Sequence, residues 1–283
     1  MSTGDENVSY KRVIVVDLAS LGLRSDNEAE QLNASSDNIL SHVLNQSSKS
    51  DLPTLRRLGL FNIFFNGDHS SDEVNPVGAY GLVRTNSVVN KPASGLREMF
   101  DCAVNSRVSS VFEEVYKAQK SSVIISRFVE YLQVQDFSKR IQVPNNTATF
   151  VELNQQLEKM RSGFIYAQVP ELQAAAMEGD LDQFSSELKK VDVMLGELMD
   201  SLEDDDLLIV TSSRVGDSQT RDGLSTYKIL PVMLYDNQSN GKHIEDIDRV
   251  SVIGGTVLDG LGILTKVKRP SKSLIPYLRK EPV

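Results

Sequence analysis

The feature that most constrains this chain is a recurring unit, a short apolar β-branched run that stops in a polar loop and is followed by a longer amphipathic stretch. Arg12-Val13-Ile14-Val15-Val16-Asp17 is the first such run. Ser121-Ser122-Val123-Ile124-Ile125-Ser126, Gly163-Phe164-Ile165-Tyr166-Ala167-Gln168-Val169 and Leu207-Leu208-Ile209-Val210-Thr211-Ser212 repeat it. Runs that are apolar at every position suit strands covered on both faces, as parallel strands are. The stretches between them have helical spacing over 96–117, 149–161 and 182–202, the last with Leu188, Val191, Leu195, Leu198 and Leu202 on one side. Asp37 caps a helix over 38–45, and residues 52–59 form a helical turn stopped by Gly59. Leu230-Pro231-Val232-Met233-Leu234-Tyr235 adds a strand, with Pro231 expected near its beginning or on an edge. This alternation predicts an α/β fold with a mainly parallel central sheet flanked by helices.

At 283 residues and 40% apolar content the chain has material for a sizeable core. It shows no repeat and no biased linker, so the expectation is a flexible N-terminus over 1–10, one domain over 11–265, and a basic tail over 266–283. That tail is expected to be a ragged terminus, or else a dock for an acidic partner. The formal net charge of −9 disfavours a broad phosphate-binding surface and hence nucleic acid, while leaving a local basic pocket open. No apolar run reaches the roughly 18 residues of a membrane helix and the first residues are polar, so no membrane span or signal peptide is expected and the cytoplasm is the default. Cys102 is the single cysteine, which rules out an internal disulfide framework, and it is expected as a buried thiol on the helix from Leu96. His42, His69 and His243 are the only histidines, which limits imidazole chemistry; His42 is expected to pack behind its helix and His69 to be solvated. The acids clustered over 197–206 read as a solvated face or turn rather than a cation site.

Several segments, in order, resemble bacterial phosphopentomutase, of the alkaline phosphatase superfamily. They are Val15-Val16-Asp17-Leu18-Ala19-Ser20-Leu21-Gly22, Asn38-Ile39-Leu40-Ser41-His42, residues 52–63, Gly78-Ala79-Tyr80-Gly81, residues 207–211 with 229–235, and Ile253-Gly254-Gly255-Thr256-Val257-Leu258-Asp259-Gly260-Leu261-Gly262-Ile263. The resemblance covers about residues 10–265. It implies an alkaline phosphatase-like core and a chemistry in which two manganese ions flank a phosphorylated threonine, because two metals clamp the oxygens of an in-line phosphoryl transfer.

Carried over one position at a time, that set is depleted. The first metal aspartate is Asp17. The nucleophilic threonine of a Gly-Lys-Asp-Thr stretch falls at Pro92, which has no hydroxyl. The Asp of Val-Asp-Phe-Asp falls at Leu172, and the His of the following Gly-His at Met177. Thr-Ala-Asp-His-Gly becomes Thr211-Ser212-Ser213-Arg214-Val215, which puts Ser213 and Arg214 at two ligand positions, and the last His falls at Ser225. The family's cap domain is also missing, since Gly95 runs directly into a helix.

One carboxylate beside a fixed guanidinium does not suit a dinuclear site for hard cations. The expected role of Asp17 is structural, accepting from backbone N–H groups of a neighbouring loop or pairing with Arg214. Glu178 and Asp180 are weaker candidates for a different cation site. No nucleophile elbow, dinucleotide loop or Walker phosphate loop is present. The resulting expectation is a pseudoenzyme, with no catalytic residue, metal or cofactor, that works as a regulatory, scaffolding or ligand-sensing subunit through a protein partner or self-association, with an anionic small ligand possible. The alternative is a divergent phosphomutase or phosphatase rebuilt around Asp17, Arg214, Ser213 or Ser225.

Overall fold

The side chains of the first strand, Arg12–Asp17, decide the layering: Ile14 and Val16 enter one apolar core, Val13 and Val15 the other, and all four are fully buried. The computed structural model describes residues 9–24, 39–48, 51–65, 75–85, 94–102, 108–127, 138–213, 228–264 and 272–278. Its strands are β1 (Arg12–Asp17), β2 (Ser20–Arg24), β3 (Ala79–Arg84), β4 (Ser121–Ile125), β5 (Lys139–Ile141), β6 (Gly163–Gln168), β7 (Asp206–Thr211), β8 (Lys228–Tyr235) and β9 (Lys242–Ile247). They form one sheet in the order β5-β4-β6-β1-β7-β8-β3-β9, with β2 also paired to β8. Every antiparallel pairing described involves β8; the other strands run in one direction. The expected mainly parallel sheet flanked by helices is therefore what forms.

The helices are α1 (Ile39–Gln46), α2 (Pro53–Leu58), α3 (Leu60–Phe65), α4 (Ser94–Met99), α5 (Val111–Lys117), α6 (Asn146–Lys159), α7 (Glu171–Glu178), α8 (Leu181–Asp200) and α9 (Ser251–Gly260). Buried side chains of α1, α2, α3, α6, α7 and α8 pack on the Ile14/Val16 face. Those of α4, α5 and α9 cover the opposite face, where Phe100 meets Phe112, Phe164 and Tyr166 with ring centroids 5.2–5.4 Å apart within the group. Local chemistry sets the helix starts: Ser110, Asn145 and Asp180 each accept a first-turn backbone N–H at 2.8–3.1 Å. The start of α2 is held from a distance, by the buried Asp192 of α8, which accepts from the N–H of Thr54 at 3.1 Å and of Leu55 at 2.7 Å.

Five expectations are corrected. The stretch 96–117 is two helices, α4 and α5; the chain turns at Asp101, whose φ is 52°, and both pieces lie on one core, so the apolar spacing continues across the break. Cys102 consequently lies beyond α4 and is only half buried, its Sγ 3.5 Å from the Phe100 carbonyl oxygen. Pro231 is neither at a strand start nor on an edge: β8 lies between β7 and β3. Its carbonyl accepts from Thr211 Oγ1 at 2.8 Å, so its nitrogen faces the same side, where β8 passes from β2 to β7 and no ladder bond is missed. Finally, residues 274–278 of the expected ragged tail are packed, with Leu274, Ile275 and Leu278 buried and the Leu274 N–H donated to Thr256 Oγ1 at 2.9 Å. His42 is exposed and pairs with Gln46 Nε2 at 2.8 Å rather than packing behind its helix. His69 lies outside the described residues.

Candidate functional site

In a sheet of this kind ligands gather outside the carboxyl ends of the strands. Here β1, β6 and β7 end side by side, with Asp17 in register with Gln168 on one side and Thr211 on the other. The period of two then brings Asp17, Tyr166, Gln168 and Ser213 to the same face of the sheet. The Asp17 carboxylate is fully buried. Its Oδ2 accepts from Tyr166 Oη at 2.6 Å, Ser213 Oγ at 2.6 Å and Gln168 Nε2 at 3.0 Å, while Oδ1 accepts from the Ser213 backbone N–H at 2.8 Å. Each of these donors is neutral. Gln168 is itself fixed, its Oε1 accepting from Ser126 Oγ at 2.7 Å.

The loop that follows β1 closes over the same edge. Ser20 takes a φ of 93°, a conformation that is costly for a side-chain-bearing residue, and the kink carries the chain from β1 past the end of β7 to pair as β2 with β8. The Leu21 N–H bonds Ser212 Oγ at 3.2 Å and the Leu18 N–H bonds the Thr211 carbonyl at 2.8 Å. From the other side α4 presses down at Gly95, where any side chain would collide with the carbonyl oxygen of Ser213.

The other positions carried over by resemblance are not gathered here. Leu172, on α7, is fully buried in the core on the opposite face of the sheet from Asp17. Met177 is 66% exposed on the last turn of that helix, and its Sδ lies 3.7 Å from Gln173 Nε2. Pro92, Arg214 and Ser225 lie outside the described residues. Of the nearby acids, Glu171 accepts from the Asn146 N–H at 2.9 Å and Asp180 caps α8, while Glu178 is exposed. Among the described residues no group of three or more His, Cys, Asp or Glu side chains stands together. As oxygen donors for a pair of hard cations, the described positions offer one carboxylate, already accepting from four protein donors, a pattern that does not fit such a centre.

A family model described as the metalloenzyme superfamily matches residues 11–265. The chain belongs to that superfamily. Over 81 residues it is 35% identical to the phosphopentomutase of Agathobacter rectalis, a match covering 28% of this chain and 20% of that one. A match of the same extent to the phosphopentomutase of Clostridium beijerinckii is 31% identical. The similarity thus spans about a fifth of the length of these curated relatives. Solved structures show the same fold at low identity. The 2-O GAG sulfatase BT1596 has a TM-score of 0.57 at 10% identity, covering 96% of this chain and 74% of that one. The lipoteichoic acid synthase LtaP from Listeria monocytogenes has 0.55 at 14%, covering 97% and 77%. The alkaline phosphatase from the Antarctic bacterium TAB5 has 0.53 at 11%, covering 90% and 99%. The resemblance to phosphopentomutase within the alkaline phosphatase superfamily is borne out, and the sheet around Asp17 has the alkaline phosphatase-like fold.

Within this superfamily member the sequence singled out Asp17 and Ser213 but missed their partners Tyr166 and Gln168 and the buried pair at the other end of β1. There Arg12 Nε and Nη2 meet both oxygens of Asp206 at 2.6 Å, and Nη1 donates to the Leu157 carbonyl at 2.7 Å. Asp206 belongs to the acidic stretch read as solvated, yet it is buried. Alternation along β6 already put Tyr166 and Gln168 on one face; the missing signal was the register with β1. No helix among the described residues is long and apolar enough to cross a membrane.

Proposed function

We propose that this chain is a non-catalytic member of the metalloenzyme superfamily, a regulatory, scaffolding or ligand-sensing subunit acting through a protein partner or through self-association, with no resident metal. The observation that supports the reading is the closed hydrogen-bond shell around Asp17: four neutral donors hold a fully buried carboxylate. Three of the donors converge on Oδ2 and the fourth on Oδ1, so the carboxylate is committed to its protein neighbours, and the Ser213 hydroxyl that faces it is buried and already donated. A rebuilt phosphatase or phosphomutase using Asp17 and Ser213 would need both to open to substrate.

The test is the metal content of the full chain after equilibration with excess manganese, by elemental mass spectrometry, together with turnover of p-nitrophenyl phosphate with and without the metal. Near-zero occupancy and no metal-dependent turnover are expected. Two retained ions, or phosphate-ester hydrolysis that disappears on chelation, would overturn the proposal.

A further inference from the structure

The amino ends of the strands, at the edge opposite Asp17, frame a cavity of about 680 Å³ between β4, β5, α5 and α6. Among the described residues its lining includes Lys120, Lys139, Lys159 and Arg161 and no acidic residue, in a chain that carries nine more acids than bases. Lys120 Nζ bonds Ser162 Oγ at 2.9 Å and Lys139 Nζ bonds Gln156 Oε1 at 3.3 Å, both neutral acceptors. Among the described residues none of the four cations is in an ion pair. Glu152, the acid bonded to this wall, accepts from Gln156 Nε2 at 2.6 Å.

Lys159 stands in the last turn of α6, where a cation offsets the helix dipole, whereas Lys120 lies three residues beyond the end of α5. Lys139 on β5 and Arg161 in the turn before β6 also lie outside the helices. Four like charges drawn around one concavity repel one another, and an anion bound between them removes that cost. The Tyr116 ring, 58% exposed on the rim, adds an apolar face on which a planar group stacks. The volume is in the range of small-molecule sites, and the negative net charge repels an extended polyanion.

We propose that this cavity binds a nucleoside polyphosphate, its phosphates held by Lys120, Lys139, Lys159 and Arg161 and its base against Tyr116. The guanidinium of Arg161 supplies the bidentate phosphate contact and the lysines supply point charge. The site is separate from the Asp17 edge, about 16 Å away along the strands at about 3.3 Å per residue, so the proposal stands or falls independently of the metal question.

The experiment is titration calorimetry of the full chain with ATP, tripolyphosphate, AMP and adenosine. ATP is expected to bind saturably, AMP at least tenfold more weakly, and adenosine not at all. The double variant Lys159→Glu/Arg161→Glu, at two exposed positions, is expected to lower ATP affinity at least tenfold with an unchanged unfolding midpoint; should it not fold, Arg161→Gln alone is expected to lower it severalfold. Tyr116→Ala is expected to weaken ATP and leave tripolyphosphate unchanged. Absence of saturable ATP binding up to about 1 mM, or ATP binding that the charge variants leave intact, overturns the proposal. Equal affinities for ATP and tripolyphosphate, both unmoved by Tyr116→Ala, also overturn it and reassign the cavity to inorganic polyphosphate.

Discussion

Replacing Asp17 by Asn tests whether the carboxylate is a structural hub or a ligand waiting for a metal. The side chain is fully buried, and both of its oxygens accept: one from the Ser213 N–H, the other from Tyr166, Gln168 and Ser213 side chains. Asn keeps one acceptor oxygen. If its amide nitrogen takes the place of Oδ2, the two hydroxyls can rotate to accept from it but the Gln168 amide cannot. If the amide is turned the other way, the Ser213 backbone N–H faces a donor. Either orientation leaves one buried N–H unsatisfied, which costs about 1–3 kcal/mol, and weakens the remaining bonds from charge-assisted to neutral, about 1 kcal/mol each. Relief from burying a charge offsets part of this, so the net loss is about 3 kcal/mol. For a chain of this size that lowers the midpoint by about 6–12 °C. Because the protein has no tryptophan, urea and thermal unfolding are followed by far-ultraviolet circular dichroism. A metal ligand behaves in the opposite way, since neutralising an acid held for an absent cation leaves stability unchanged or raised. A midpoint for Asp17→Asn at or above that of the natural chain would refute the reasoning.

Two further outcomes concern buried acids elsewhere. Asp206→Ala strands the buried Arg12 guanidinium and is expected to cost about 3–5 kcal/mol in urea titrations, whereas loss of Asp205, whose pair with Lys11 is solvent-exposed, leaves the midpoint unchanged; equal effects would contradict the assignment. Burial pushes the Asp192 carboxyl up, against the opposing pull of the Leu55 and Thr54 N–H groups. A raised folded pKa means its contribution is complete below the unfolded value near about 4 and is lost as pH rises through the folded value. The natural chain should therefore gain stability relative to Asp192→Asn on acidification from about pH 6 to about pH 4, and a constant difference across that range would exclude the linkage.

Much of the scaffold was legible because its signals are local. The run at residues 12–17 is β1 to the residue, and the runs at 121–126, 163–169 and 207–212 match β4, β6 and β7 within a residue or so at their ends. These segments are apolar on both faces and admit no other placement in a covered sheet. The strands that the sequence did not announce, β2, β5 and β9, are short or polar, and their conformation comes from the neighbour they pair with. The Gly78-Ala79-Tyr80-Gly81 segment, read as part of a family signature, is β3 with its lead-in, and its glycines have a packing reason. A side-chain carbon at Gly81 would stand 2.5 Å from the Ile244 carbonyl oxygen of β9, and one at Gly78 would stand 2.7 Å from that of Leu234 on β8.

What the sequence determined by itself is the order of the apolar strands β1, β4, β6, β7 and β8 with amphipathic helical stretches between them, the acid at the end of β1, and the chemical types standing at Leu172, Met177 and Ser213. Those follow from residue type and from spacing within a single element. The tertiary structure alone decided what surrounds that acid. Tyr166, Gln168 and Ser213 are 149, 151 and 196 residues from Asp17, and they meet it because β1 pairs with β6 on one side and β7 on the other in one particular register. A shift of one residue would turn those side chains to the other face. The basic cavity arises in the same way, from two helix ends and two strand starts that are distant in sequence and that the twist and order of the sheet bring to one edge.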